Sequence, residues 1–132
     1  MKFIIHEIGE IKVAELSANT DQTMNAQDAL DIMMEATYLG ADVLMLRESS
    51  LDPGFFDLST RIAGDIAQKA VNYRFRIMII GDFEKYRSKS LREYIRESNL
   101  GKHVNFFARI DEAWELLRSE AGGLLPDNDS GF

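Results

Sequence analysis

Residues 55–99 read FFDLSTRIAGDIAQKAVNYRFRIMIIGDFEKYRSKSLREYIRESN, and this stretch decides the fold. Leu58, Ile62, Ile66, Ala70 and Val71 recur at helical spacing. Small residues Ala63, Gly64 and Ala67 lie among them, as expected of a helix that packs closely on a sheet. Glycine inside a helix costs about 1 kcal/mol relative to alanine, so Gly64 is expected at a close approach. Phe75 to Ile80 is a continuous apolar run suited to a buried strand, stopped by Gly81-Asp82. Ser90 with Glu93 three residues later forms a capping-box pattern for a further helix, with Leu91, Tyr94 and Ile95 facing inward and Asn99 and Gly101 ending it. The stretch is therefore helix, buried strand, helix.

Working outward towards the amino terminus, Asp42 to Leu46 is a second short apolar run that opens into the loop RESSLDPGFFD. Before it, Asn25 can cap a helix over 25–39, with Asp28 at its third position, a stripe of Leu30, Met33, Met34 and Tyr38 or Leu39, and Gly40 as the stop. Residues 3–16 alternate apolar and polar on both sides of Gly9-Glu10. This predicts a hairpin with Phe3, Ile5, Ile11 and Val13 in the core. A polar loop, 17–24, separates hairpin from helix. Towards the carboxyl terminus, Val104 to Ile110 supplies a last strand and Asp111 caps a final helix with Ala113, Leu116 and Leu117 inward. Beyond Ala121 the periodicity is lost. Residues 122–132 are expected to be a disordered tail, apart from docking of Leu124 and Leu125.

The order is ββαβαβαβα in a single α/β domain over 1–121. Right-handed crossovers then lead to a mostly parallel sheet of about five strands, with an antiparallel hairpin at its start and helices on its faces. At 132 residues the chain can bury roughly two-thirds of its unfolded surface in one core. It has no cysteine, which excludes disulfides, thiolate chemistry and cysteine-held metals. A net charge of −7 argues against a nucleic-acid partner, because that affinity depends on neutralising phosphates. Lys85, Arg87, Lys89, Arg92, Arg96 and Lys102 nonetheless crowd one stretch, offset by Glu84, Glu93 and Glu97, as on a solvated helix face. Neither a leader peptide nor an apolar run of membrane-spanning length is recognisable, so the expectation is a cytoplasmic protein with no membrane contact.

Between Ile11 and Leu117, most specifically in QDALDIMMEA, FFDLSTRIAGDIAQKAVNYR and IIGDFEKYRSKSLREYIRESN, the chain resembles a bacterial family known only as domain of unknown function 4180. More distantly, its element order resembles the STAS domain of anti-sigma factor antagonists. In STAS proteins a strand leads through a phenylalanine and an aspartate to a phosphorylatable serine at the start of a helix. Phe56-Asp57-Leu58-Ser59-Thr60 occupies the similar place here, with Leu58 standing where the acceptor serine would be. The resemblance implies a non-catalytic regulatory module that binds a protein partner, with Ser59 or Thr60 as the phosphate acceptor.

Two surfaces accompany that switch reading. Gln68, Lys69, Asn72 and Tyr73 share one side and the end of the second helix, where Gln68 and Asn72 with Asp57 form a candidate recognition surface. Asp82, Ser88, Lys89 and Arg92 flank the start of the third helix, where serines and cations suit an anion. The competing reading is a small-molecule or anion-binding protein or enzyme using Glu48, Asp82 and Asp111 at strand ends together with the Ser88 to Arg92 anion site. It lacks a glycine-rich phosphate loop, a nucleophilic triad and metal-ligand spacing for His6 and His103, so neither catalytic residues nor a cofactor are assigned. Trp114 is expected to pack within the chain, over Phe106 or Phe107, with a homodimer contact as its other use.

Overall fold

The computed structural model describes residues 3–17 and 24–123. Its elements are β1 (Phe3–Ile8), β2 (Ile11–Leu16), α1 (Ala26–Tyr38), β3 (Val43–Arg47), α2 (Ile62–Asn72), β4 (Arg76–Ile80), α3 (Lys89–Ser98), β5 (Val104–Phe107) and α4 (Ile110–Gly123). The strands form one sheet in the order β1-β2-β3-β4-β5. β1 is antiparallel to β2 and every other neighbouring pair is parallel. The expected α/β architecture and element order are present. The loop expected over 17–24 and the tail with Leu124 and Leu125 lie largely outside the described residues, and α4 itself reaches Gly123.

Sequential parallel strands joined by crossovers of one hand carry their helices to one face. Accordingly α1, α2 and α3 bury Ala29, Met33, Ala36, Ala63, Ile66, Ala70 and Leu91 against Ala14, Leu44, Leu46, Ile77, Ile79 and Phe106. The opposite face has α4 alone, whose Ala113 and Leu117 cover Val13, Val43, Met45, Met78 and Ile80. β3 and β4 therefore face helices on both sides. Four of the five residues of β3 and all five of β4 are buried, which explains their unbroken apolar runs.

Local chemistry explains the boundaries. Gly9, at φ 59°, allows the tight turn that pairs Ile8 with Ile11. Asn25 is the expected cap: it accepts from the Asp28 N–H, while Asp28 accepts from the Asn25 N–H, which makes a reciprocal capping box. α1 closes with Gly40 at φ 87° and an Ala41 N–H to Ala36 carbonyl bond. α2 closes in the same way with a Phe75 N–H to Ala70 carbonyl bond, but the left-handed position is held by Arg74, at φ 53°. Asn72 is the last helical residue of α2.

Several expectations are corrected. The α1 stripe is rotated: Ala29, Met33 and Ala36 are buried, whereas Met34 is exposed and Tyr38 is 91% exposed. Ile5 is 38% exposed because β1 is the sheet edge. α2 begins at Ile62, not before Ser59. Leu58–Thr60 form a separate 3-10 turn, and Arg61 at φ 68° breaks the continuity. Gly64 is exposed, and a Cβ there would meet nothing within 4 Å, so close packing does not account for it. α3 is capped by Ser88, which accepts from the Leu91 N–H at 3.1 Å, instead of by Ser90. Asp111 lies inside the first turn of α4 and pairs with Arg109 at 2.7 Å instead of capping.

Candidate functional site

The carboxyl ends of β3 and β4 are where an open α/β sheet exposes side chains between diverging connections. Here two loops close over them. Loop 48–61 is built from 3-10 turns at Glu48–Ser50, Pro53–Phe56 and Leu58–Thr60. Asp52 caps the second turn by accepting from the Gly54 N–H at 2.8 Å. Loop 81–88 approaches from β4, and Phe56 stacks on Tyr86 with centroids 4.8 Å apart and planes 12° from parallel. Phe83 meets Phe106 edge-on at 5.2 Å, and Phe55 is fully buried between Phe56 and Phe106.

Glu48 ties the loops together. Its carboxylate accepts from the Asp82 N–H at 2.8 Å and the Tyr86 hydroxyl at 2.9 Å, and pairs with Lys85 at 3.1 Å. Burial first, then the hydrogen bond and negative charge of Glu48, push the Tyr86 phenol up to about 12. The Gly81 position has no room for a side chain, since a Cβ would fall 2.5 Å from Glu48 Oε1. The strand-end acids of the enzyme reading are thus separately engaged: Glu48 in this tie, Asp82 accepting from the Glu84 N–H at 3.3 Å, and Asp111 with Arg109. Among the described residues no group of three or more His, Asp or Glu is placed to hold a metal ion.

The switch candidates occupy one exposed turn. Asp57 Oδ1 accepts from the Ser59 hydroxyl at 2.7 Å and the Ser59 N–H at 3.1 Å, and these bonds, the hydroxyl first, hold its carboxyl below the ordinary aspartate range. The Thr60 hydroxyl donates to the Gly54 carbonyl at 2.6 Å and the Asp57 carbonyl at 2.8 Å, and it accepts from the Ile62 N–H at 3.3 Å. The Thr60 hydroxyl therefore caps the start of α2, while the Ser59 hydroxyl braces Asp57, the cap of the 58–60 turn. The first N–H groups of α2 lie immediately beyond, and Arg61 is exposed at their margin.

The other predicted residues divide between two surfaces. Gln68 donates to Asn72 Oδ1 at 3.0 Å, and both line a shallow groove of about 330 Å³ between α1 and α2, with Gln27, Asp65 and Lys69. A helix rise of about 1.5 Å per residue puts Asn72 roughly 15 Å from Ile62 at the start of α2, and no residue of the 57–60 turn lines this groove. Ser88 is a cap, Lys89 is exposed on the first turn of α3, and Arg92 donates from Nε to the Tyr86 carbonyl at 3.1 Å. Arg92 also borders an open groove of about 480 Å³ with Phe83, Glu84 and Ile95. The 57–60 turn and the 82–92 segment are linked through the Phe56–Tyr86 stack.

Sequence reasoning missed the structural part played by Tyr86 and Phe83. The available signal was aromatic residues in both loops that follow buried strands. It also missed Arg76, on the α4 face of β4, whose guanidinium binds Asn105 at 2.8 Å and Glu120 at 2.8 Å. Trp114 packs within the chain, but its ring partner is His6, with centroids 4.6 Å apart. The His6 Nε2 is 2.8 Å from Glu15, and His103 Nδ1 is 3.3 Å from the Phe75 carbonyl, so the histidines have separate local partners.

A family model described as "Domain of unknown function (DUF4180)" matches residues 8–117. No curated protein matches the chain. Among the described residues no helix is long and apolar enough to cross a membrane.

Proposed function

The chain belongs to the DUF4180 family, and we propose that it is a non-catalytic, STAS-like regulatory module of the bacterial cytoplasm that works by binding a protein partner. The observation that carries this reading is the state of the strand ends. Polar groups that a catalytic crevice would direct at substrate are engaged in stapling two loops, through Glu48 and the Phe56–Tyr86 stack. Beside that closed edge lies an exposed turn whose hydroxyl and carboxylate are the groups a kinase modification would set against each other.

The physical mechanism follows from the 2.7 Å contact between the Ser59 hydroxyl and Asp57. A phosphate on Ser59 carries a charge of about −2 and removes the hydroxyl proton that Asp57 accepts. Repulsion between phosphate and carboxylate releases Asp57 from the Ser59 N–H as well, opening the 57–60 turn. The Ala63 and Gly64 N–H groups in the first turn of α2 and the Arg61 guanidinium offer the displaced phosphate a new anchor. Thr60 is the second acceptor on the same turn, with its hydroxyl bridging the Gly54 and Asp57 carbonyls. The partner surface then comprises Asp57, Asp82 and the Ser88 to Arg92 segment, held in common by the aromatic stack.

Phosphopeptide mapping of the protein from its host, joined to affinity capture with wild type, Ser59→Glu and Asp57→Asn, tests this reading. The expected result is phosphate at Ser59 or Thr60 and a dominant partner whose recovery changes about tenfold with Ser59→Glu. Absence of modification together with unchanged capture by Ser59→Glu would overturn it.

A further inference from the structure

The two edges of the sheet are treated differently. On β5 the odd-numbered residues bond to β4, as the Gly81 N–H to Phe107 carbonyl bond shows, leaving the Phe106 N–H directed outward. That N–H is taken by Asn99 Oδ1 at 2.7 Å, and Asn105 binds the Gly101 carbonyl at 2.9 Å, so the connection from α3 covers this edge. β1 has no such cover among the described residues. Its pairing with β2 runs without a bulge from Phe3–Leu16 to Ile8–Ile11, and the strand holds neither proline nor lysine.

The register fixes which groups β1 leaves free. Asp42 donates to the Lys12 carbonyl, so even-numbered residues of β2 face β3 and odd-numbered ones face β1. Ile11, Val13 and Glu15 therefore bond with Ile8, His6 and Ile4, and the N–H and C=O groups of Phe3, Ile5 and Glu7 point outward. Outward groups at alternate positions with one residue at their centre are self-complementary about a two-fold axis. We propose that β1 pairs antiparallel with β1 of a second copy, with Ile5 opposite Ile5 and Phe3 opposite Glu7. The two sheets become one continuous sheet across the dimer.

Side chains agree with that register. Ile5, 38% exposed, meets its two-fold mate on the face that carries α1 to α3, and Ile4, 54% exposed, lies opposite His6 on the α4 face. The polar side chains of β1 already have partners within each copy, His6 Nε2 with Glu15 at 2.8 Å and Glu7 with Lys12 at 3.9 Å. No like charges are brought opposite each other. Six residues per copy make a small interface, below about 1,200 Å², so the dimer is expected to dissociate in the micromolar range. This pairing does not depend on the switch reading of the 57–60 turn.

The absence of cysteine permits a direct test. Directly opposite residues of a hydrogen-bonded antiparallel pair have Cα atoms about 5.5 Å apart, within disulfide range, whereas Ile4 and its mate are offset by two positions and fall outside it. Ile5→Cys is expected to give a covalent dimer under mild oxidation, and Ile4→Cys little. In sedimentation velocity from about 1 to 100 μM, wild type is expected to rise from the mass of one chain to two. Ile5→Lys is expected to remain at one, with an unchanged melting profile. Glu7→Pro, which removes an outward N–H and no bond to β2, serves should Ile5→Lys unfold. Wild type monomeric throughout, equal cross-linking of the two cysteine variants, or a dimer indifferent to Ile5→Lys and Glu7→Pro would each overturn the proposal. So would a monomer that adds an extended segment of another protein at β1.

Discussion

Arg76 is the most consequential polar residue inside the fold, and a double-mutant cycle with Glu120 measures why. Its side chain is 11% exposed and holds Glu120 through Nη1 at 2.8 and 3.0 Å, while Nε donates to Asn105 at 2.8 Å. Removing one partner of a fully buried pair costs about 3–5 kcal/mol, because the other charge is left uncompensated. Here Asn105 remains bound and Glu120 is partly exposed, so Glu120→Met is expected to cost about 2 kcal/mol. Arg76→Met leaves the more accessible carboxylate and is expected to cost about 1 kcal/mol. The double variant Arg76→Met/Glu120→Met exchanges the pair for apolar packing against the α4 face and is expected within about 1 kcal/mol of wild type. Urea unfolding followed by Trp114 emission reads all four proteins, with an unchanged m-value required before the midpoints are compared. A double variant as unstable as the two single losses added together would refute the reasoning, since it would mean that the two side chains act independently.

Three further outcomes are expected. Gly81→Ala drives a Cβ to 2.5 Å from Glu48 Oε1 and displaces the tie to Asp82 and Tyr86, at a cost of about 2 kcal/mol in urea unfolding; a loss under about 0.5 kcal/mol would refute it. Arg74→Gly relieves a left-handed non-glycine residue and is expected to stabilise by about 1 kcal/mol, read as a rise in thermal midpoint of about 4 °C; no rise would show that the Arg74 side chain offsets its backbone cost. The phenol of Tyr86 stays protonated in the fold up to about 12, while in the unfolded chain it titrates near 10. The folded state therefore binds the extra proton between those values, and stability is expected to fall as pH rises through that window. A tyrosinate difference titration of wild type against Tyr86→Phe checks it, and a Tyr86 step near pH 10 would contradict it.

Legibility followed the range of the forces involved. The hairpin, the cap at Asn25, the buried run of β4 and the order of elements were readable because turn chemistry, capping and period-two or period-3.6 patterns act over a few residues. The candidate 57–60 turn was located as a polar joint, but its helix boundary was misplaced. Ser59 and Thr60 have the chemistry of a helix start, and only the left-handed Arg61 shows that the helix begins after them. Ser90 likewise satisfied the capping pattern, yet Ser88 is the cap, because two serines at that spacing offer equivalent local chemistry and packing of Leu91 selects between them.

By itself, the sequence determined the class, the element order and the identity of the central strands, since these depend on propensity and on which segments are apolar enough to be buried on both sides. Tertiary structure alone decided that three helices share one face and α4 covers the other. It also decided that Ile5 is exposed while Arg76 is buried, and that Glu48 holds Asp82, Lys85 and Tyr86 from at least 34 residues away. The physical reason is that local patterns record whether a residue prefers burial, whereas the charge, ring or edge it meets is set by the crossing of strands distant in the chain.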